Sequence, residues 1–197
     1  MEPDKTTKQI IAMYEEASDL HESVNQFYGE PNPETGKRFC YGVHLGDVLG
    51  DAIAFMDDIP EFEQYKLVIA FGACFHDAIE DARETYNDIL KRACKYLNKE
   101  DAVMATEIVY ALTNEKGRNR AERANEKYYE GIRTTPFAPF VKMCDRFANM
   151  QYACRHETSM AKKYRQELPE FISHIVTDTD DFRFKVPQTL IDKIKTL

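Results

Sequence analysis

Apolar residues recur between Thr6 and Tyr28 at Ile10, Ile11, Met13, Tyr14, Ala17, Leu20, Val24 and Phe27. Most of the steps are of three or four residues, a spacing that predicts an amphipathic helix with one face against a core. The segment Gly29-Glu30-Pro31-Asn32-Pro33-Glu34-Thr35-Gly36 ends that pattern and reads as a loop. A second helix is predicted from Tyr41 to near Pro60, and a third from Phe62 to Asp81. The third is apolar on nearly all sides in its middle, so it belongs at the centre. Thr85 with Asp88 resembles a capping pair that opens a fourth helix through Leu97, and Asp101 to Leu112 gives a fifth. A polar stretch, Thr113 to Arg120, precedes a helix from Ala121 to Glu130 whose alternating charges face solvent. Beyond Pro136 and Pro139 lies an apolar helix, Phe140 to Met150, with an acid at its centre. Ser159 to Val176 follows, with Pro169 expected to kink or break it, and Leu190 to Leu197 is a short amphipathic piece. No segment sustains the period-two alternation of a strand. The predicted fold class is all-α: a single domain over residues 1–197 with a C-terminal helical extension from about residue 159.

Composition narrows the possible partners. With 26 basic against 34 acidic residues, the chain lacks the basic surface that nucleic-acid polymers and anionic membranes select. A small anionic substrate needs only a local basic patch or a metal. Of Cys40, Cys74, Cys94, Cys144 and Cys154, no two form a CxxC pair, and Cys74, Cys94 and Cys144 lie in apolar surroundings. The expectation is reduced thiols rather than a disulfide framework or a zinc site. The opening residues MEPDKTTKQIIAMYEEA have no apolar signal-peptide core, and no apolar run approaches membrane-spanning length. The expected compartment is the cytoplasm.

Candidate chemistry concentrates in Phe75-His76-Asp77-Ala78-Ile79-Glu80-Asp81. Read as continuous helix, Asp77 stands three residues from Glu80 and four from Asp81, so the three carboxylates share a face. Such a cluster repels itself unless a cation neutralises it. His44 lies at the start of the second helix, and Asp145 sits at the centre of an apolar one. Asp145 is costly to bury unpaired, so it needs a partner such as Arg146, or a metal. Together His44, His76, Asp77 and Asp145 offer two imidazoles and two carboxylates. That set suits manganese, iron, cobalt or zinc better than calcium, which prefers all-oxygen shells. Four protein ligands on an ion that accepts five or six leave room for water and substrate. His21, near the apolar stripe of the first helix, reads as a packing or surface residue rather than a further ligand. The stretch Thr113 to Arg120 is open to two readings, a solvated connection or an anion-binding loop.

The ordered pattern His44, His76-Asp77, Asp145 is similar to the H...HD...D signature of the HD-domain phosphohydrolases, which are all-helical metal-dependent enzymes. More narrowly, HDAIED resembles the HDxxED motif of the RelA/SpoT-type hydrolase domain, and Val141-Lys142-Met143-Cys144-Asp145-Arg146-Phe147-Ala148-Asn149-Met150 resembles its VKLADRxxNM segment. The likeness spans about Tyr41 to Met150. It implies an HD-domain helical bundle of the small alarmone hydrolase type, which removes the 3'-pyrophosphate of guanosine tetra- or pentaphosphate, typically with manganese.

Carried over, the resemblance makes His44, His76, Asp77 and Asp145 the ligands of one Mn²⁺ ion, with Glu80 and Asp81 as the catalytic acidic pair. It places Tyr41, Lys142, Arg146 and Asn149 near the nucleotide. Where the family carries a Gly-Glu-Pro-Tyr stretch leading into His-Pro, this chain reads Gly36-Lys37-Arg38-Phe39-Cys40-Tyr41-Gly42-Val43-His44-Leu45. Tyr41 fits, whereas the Gly-Glu-Pro lead-in and the proline after His44 are missing. Lys37, Arg38, Lys116, Arg118 and Arg120 are the cations offered in exchange for phosphate contacts. The expected partner is a small nucleotide, with no nucleic-acid polymer and no membrane. Two alternatives stand beside this reading: an HD-type nucleotidase or phosphatase acting on another nucleotide, and a nucleotide-binding sensor that keeps the metal site without turnover.

Overall fold

The computed structural model describes residues 3–114 and 117–197, with the side chains of residues 120 and 121 outside that description. Helix α1 (Lys5–Ser23) starts where the Asp4 carboxylate accepts the Thr7 N–H at 2.8 Å, and it buries Ile10, Met13, Ala17 and His21. It stops short of the predicted Tyr28. Asn25 turns the chain at φ 57°, and Phe27–Tyr28 (β1) pairs antiparallel with Phe39–Cys40 (β2). A pair of two-residue strands leaves no periodicity in a sequence, and the fold is all-α as expected.

Helix α2 (Gly42–Met56) and a 3₁₀ turn (Pro60–Tyr65) lead into α3 (Lys66–Phe75). The predicted single helix to Asp81 is also corrected: α3 ends at Phe75, His76 and Asp77 form a joint, and a four-residue helix α4 (Ala78–Asp81) follows. The Thr85/Asp88 pair does cap α5 (Tyr86–Ala93) reciprocally, each side chain accepting the other's backbone N–H. Asn98 caps α6 (Lys99–Leu112). Asn125 starts a new helix, so the predicted 121–130 segment divides into α7 (Arg120–Arg123) and α8 (Glu126–Thr134). Helix α9 (Ala138–Arg155) carries the apolar run with the central acid. Helix α10 (Ser159–Ile175) runs on through Pro169, and α11 (Gln188–Ile194) closes the chain.

The order of burial explains the architecture. Every residue of α3 from Val68 to Phe75 is buried, and this helix packs against α1, α2, α6 and α9. Gly72 permits its approach to α6, because a Cβ there would stand 2.8 Å from Ile108 Cγ2. Helices α8, α10 and α11 pack on α9, and Leu168, Phe171, Leu190 and Ile194 join the same buried cluster as α3. At the entry to α9, Phe137 adopts φ 64°, a left-handed conformation that strains a side-chain-bearing residue. Its wholly buried ring lies against Phe62, Tyr65 and Phe182, and its N–H donates to the Arg183 carbonyl at 2.6 Å. Packing therefore fixes the strained turn. Cys94, expected in apolar surroundings, is exposed, and all five thiols are free. Among the described residues no helix is long and apolar enough to cross a membrane.

Two consequences for stability are measurable. Phe62 is wholly buried between Phe137 and Phe140, so Phe62→Ala is expected to lower the free energy of urea unfolding by about 3–5 kcal/mol. Asp51 on α2 has an unpartnered buried oxygen, and burial, with Asp47 nearby, pushes its carboxyl up to about 7. Between the ordinary value near 3.8 and about 7 the folded chain holds the Asp51 proton and the unfolded chain does not, so this group's contribution to stability falls as pH rises through that window. Asp51→Asn should gain on the wild type in unfolding free energy on going from pH 5 to pH 8; a constant difference would contradict the assignment.

Candidate metal centre and adjoining cleft

Three helices bring their donors to one point. His44 lies in the first turn of α2, His76 ends α3, and Asp145 sits midway along α9. The Nε2 atoms of His44 and His76 stand 3.2 Å apart, and Asp145 Oδ1 lies 3.4 Å from the first and 3.8 Å from the second. Asp77 Oδ2 is 3.0 Å from His76 Nε2 and 3.7 Å from His44 Nε2. On an unbroken helix, adjacent side chains diverge by about 100°. The joint at residues 76 and 77 is what lets two neighbours address the same point.

The donor set fits a metal ion. Ligand atoms about 2.1 Å from an ion and separated by 90–109° lie about 3.0–3.4 Å from one another, which is the scale of these distances. His44, His76 and Asp145 are buried, and their donor atoms lie within 4.8 Å of one another. The His76 Nδ1–H donates to the Ala73 carbonyl at 2.8 Å, which fixes the tautomer that presents the Nε2 lone pair to the centre. Charge points the same way. Burial lowers the basicity of His44, but Asp145 and Asp77 more than reverse this and raise it to about 9; His76 is raised as well. Although burial opposes it, His76 and His44 hold the Asp77 carboxyl well below the usual range, and Lys142 and His44 do the same for Asp145. The cluster demands positive charge, and a divalent ion can supply it in place of protons.

Neighbouring side chains fix these donors. Tyr41 O–H donates to Asp77 Oδ2 at 2.5 Å. Lys142 Nζ donates to Asp145 Oδ2 at 2.8 Å, and Asn149 Nδ2 to Asp145 Oδ1 at 2.6 Å. Of the partners considered for Asp145, Arg146 is not the one that pairs with it: one turn of helix brings Lys142 beside Asp145, while Arg146 turns its Nη1 to within 3.7 Å of Glu167. Burial works against the Lys142 charge, but Asp145 holds its pKa above the usual lysine value. The Arg146 guanidinium lies over the rings of Phe171 and Tyr164, 4.2 and 4.9 Å from their centroids.

A cleft of about 300 Å³ opens beside the centre. Tyr41, His44, Asp77, Glu80, Asp81, Lys142, Asp145, Arg146 and Asn149 all line it. Asp77, Glu80 and Asp81 face the same cleft, as residues three and four apart on a helical turn should, and the Asp81 N–H donates to the Asp77 carbonyl at 2.8 Å. Glu80 accepts from the Asn114 side chain at 2.6 Å and faces Arg123 at 3.6 Å; Asp81 accepts from Gln26 at 3.0 Å. Burial, with Asp77 and Glu80 nearby, raises the Asp81 carboxyl to about 6. Arg118 lies outside the cleft, 93% exposed and paired with Glu122 one helical turn away. Lys116 and the side chain of Arg120 fall outside the described residues. Lys37 and Arg38 line a second cleft of about 490 Å³ with Phe39, Tyr152 and His156.

Sequence reasoning missed Gln26, Tyr28, Asn114 and Arg123. Tyr28 stacks on His44 at 4.8 Å between centroids, and its O–H donates to Asn149 Oδ1 at 3.3 Å. These residues come from loops, from a strand too short to detect, and from a four-residue helix, so no local spacing ties them to the motif.

The arrangement is an all-α helical bundle. A solved structure described as a metazoan ortholog of SpoT that hydrolyses ppGpp and plays a role in starvation responses shares this fold, with a TM-score of 0.64. The match covers 98% of this chain and 96% of that one at 16% sequence identity. No protein-family model and no curated sequence matches the chain.

Mn²⁺ should raise the melting temperature of the wild type in differential scanning fluorimetry, since a ligand that binds only the folded chain stabilises it. His76→Ala, which removes one donor, should show little or no such rise; an equal rise in the variant would place the ion elsewhere.

Proposed function

We propose that the chain is a metal-dependent phosphohydrolase that removes the 3'-pyrophosphate of (p)ppGpp, using Mn²⁺ held by His44, His76, Asp77 and Asp145. One observation carries this reading: four donors converge at the edge of a cleft whose wall also presents Asp81, a carboxylate tuned towards neutrality. Bound there, a divalent ion supplies Lewis acidity towards a phosphate ester and its attacking water.

The chain's own groups provide the rest. Asp81, with a pKa of about 6 and one oxygen already accepting from Gln26, is suited to take a proton from water near neutral pH. Glu80 holds Asn114 and faces Arg123, which brings a cation to the cleft wall beside the reacting phosphate. Arg146, stacked on Phe171 and lining the cleft, offers a second. Asn149 lines both this cleft and a smaller recess with Tyr28 and Tyr152, and Tyr152 also lines the cleft of Phe39, His156, Lys37 and Arg38. These recesses adjoin the cleft through Asn149 and Tyr152, and on this reading their aromatic faces take the base while the metal takes the phosphate end.

Incubation of Mn²⁺-loaded protein with ppGpp should release pyrophosphate and GDP, and chelation should abolish the release. Asp81→Asn should lower kcat by about 10²–10⁴-fold. Undiminished turnover in that variant would remove Asp81 from its assigned role. Inorganic phosphate as the product from another nucleotide would favour the nucleotidase or phosphatase alternative. Tight Mn²⁺-dependent binding of ppGpp without turnover would favour a sensor.

A further inference from the structure

His21, at the end of α1, is wholly buried, and neither of its ring nitrogens has a hydrogen-bond partner among the described residues. An apolar side chain would fill this place without burying an unpartnered N–H. The ring instead lies flat on Tyr41, with centroids 4.4 Å apart and planes 18° apart. Tyr41 is the residue before α2, and its hydroxyl is the short donor to Asp77 Oδ2. On another side, Tyr28 meets the Tyr41 ring edge-on at 6.2 Å and stacks on His44. The Tyr41 ring is therefore held by flat contact with His21 and by the edge contact with Tyr28.

The chemistry of Asp77 gives this contact its importance. Its carboxylate Oδ2 faces His76, His44 and Tyr41. Once both imidazole Nε2 atoms turn their lone pairs to an ion, they no longer donate to Asp77. Tyr41 is then the donor that remains on Oδ2 among these partners, and its direction sets the direction of the carboxylate. His21 also acts through its backbone: its carbonyl accepts the N–H groups of Val24 and Gln26 at 3.3 and 3.0 Å, shaping the turn from which Gln26 reaches Asp81.

We propose that His21 is a positioning residue for the metal centre, acting by stacking on Tyr41 and through the Tyr41 hydroxyl on Asp77. This inference rests on the reading of His44, His76, Asp77 and Asp145 as metal ligands. His21 itself binds neither metal nor substrate.

Calorimetric titration of the full chain with Mn²⁺ tests it without reference to turnover. Tyr41→Phe, which keeps the stacked ring and removes the hydroxyl, should weaken Mn²⁺ binding by about 10–100-fold. His21→Leu should weaken it by about tenfold, and His21→Phe, which preserves a flat ring, should stay within about threefold of the wild type. The double variant His21→Leu/Tyr41→Phe should bind no more than about threefold more weakly than Tyr41→Phe alone, because the two act in series. Wild-type affinity in His21→Leu, equal losses in His21→Phe and His21→Leu, or a double variant whose loss is the product of the two single losses would each overturn the proposal. Should His21→Leu fail to fold, Tyr41→Phe carries the test, and unchanged affinity there overturns it. A wild type that binds no Mn²⁺ overturns the metal reading itself, a different result from a wild type that binds and variants that do not differ.

Discussion

Placing two imidazoles 3.2 Å apart inside a helical bundle, each within 4 Å of the same two carboxylates, is the constraint around which this molecule is built. Taken out of water unpaired, such groups cost several kcal/mol each. Their mutual pairing, Lys142 and Asn149 beside Asp145, and Tyr41 beside Asp77 offset that cost. The surrounding core keeps these groups in register. The fully apolar α3 delivers His76 from the centre of the bundle, while α2 and α9 pack on it from two sides. A core this continuous leaves the donors little freedom to separate, so charge balance falls to whatever cation enters.

Legibility in the sequence followed the range of the interactions. The helices were readable wherever a stripe of apolar residues or a capping pair marked them, as with Ile10, Met13 and Ala17 in α1 or Thr85 and Asp88 in α5. The convergence of His44, His76, Asp77 and Asp145 was readable because each polar group interrupts an apolar run, where only a partner can justify it. What could not be read depends on tertiary placement. The short β1–β2 pair, the joint after Phe75 and the turn at Phe137 are set by packing rather than by local pattern. The same holds for the partners of the acids: Gln26 is 55 residues from Asp81, and Asn114 is 34 from Glu80. Arg146 shows the limit from the other side, since its adjacency to Asp145 suggested a pair that helix geometry forbids and that Lys142, one turn back, supplies.

The basic side chains around the site illustrate how composition and geometry differ. A net charge of −8 gives no general attraction for anions, so recognition of the proposed phosphorylated ligand would have to be local. The cations on the cleft wall, Arg123, Lys142 and Arg146, each already face a carboxylate, Glu80, Asp145 and Glu167. An incoming phosphate would compete with those carboxylates, which favours ligands carrying several negative charges over those carrying one.

The joint between α3 and α4 divides labour mechanically as well as chemically. His76 and Asp77 belong to the rigid centre, whereas Glu80 and Asp81 ride on a four-residue segment moored to the turn after α1 through Gln26 and to the α6–α7 connection through Asn114. The two halves of one hexapeptide are thus braced by different parts of the fold. Substitutions in that turn or in that connection can retune the acids without disturbing the donors. On the proposed reading, the reaction of such a chain would change, or be lost, with the four donors left as they are.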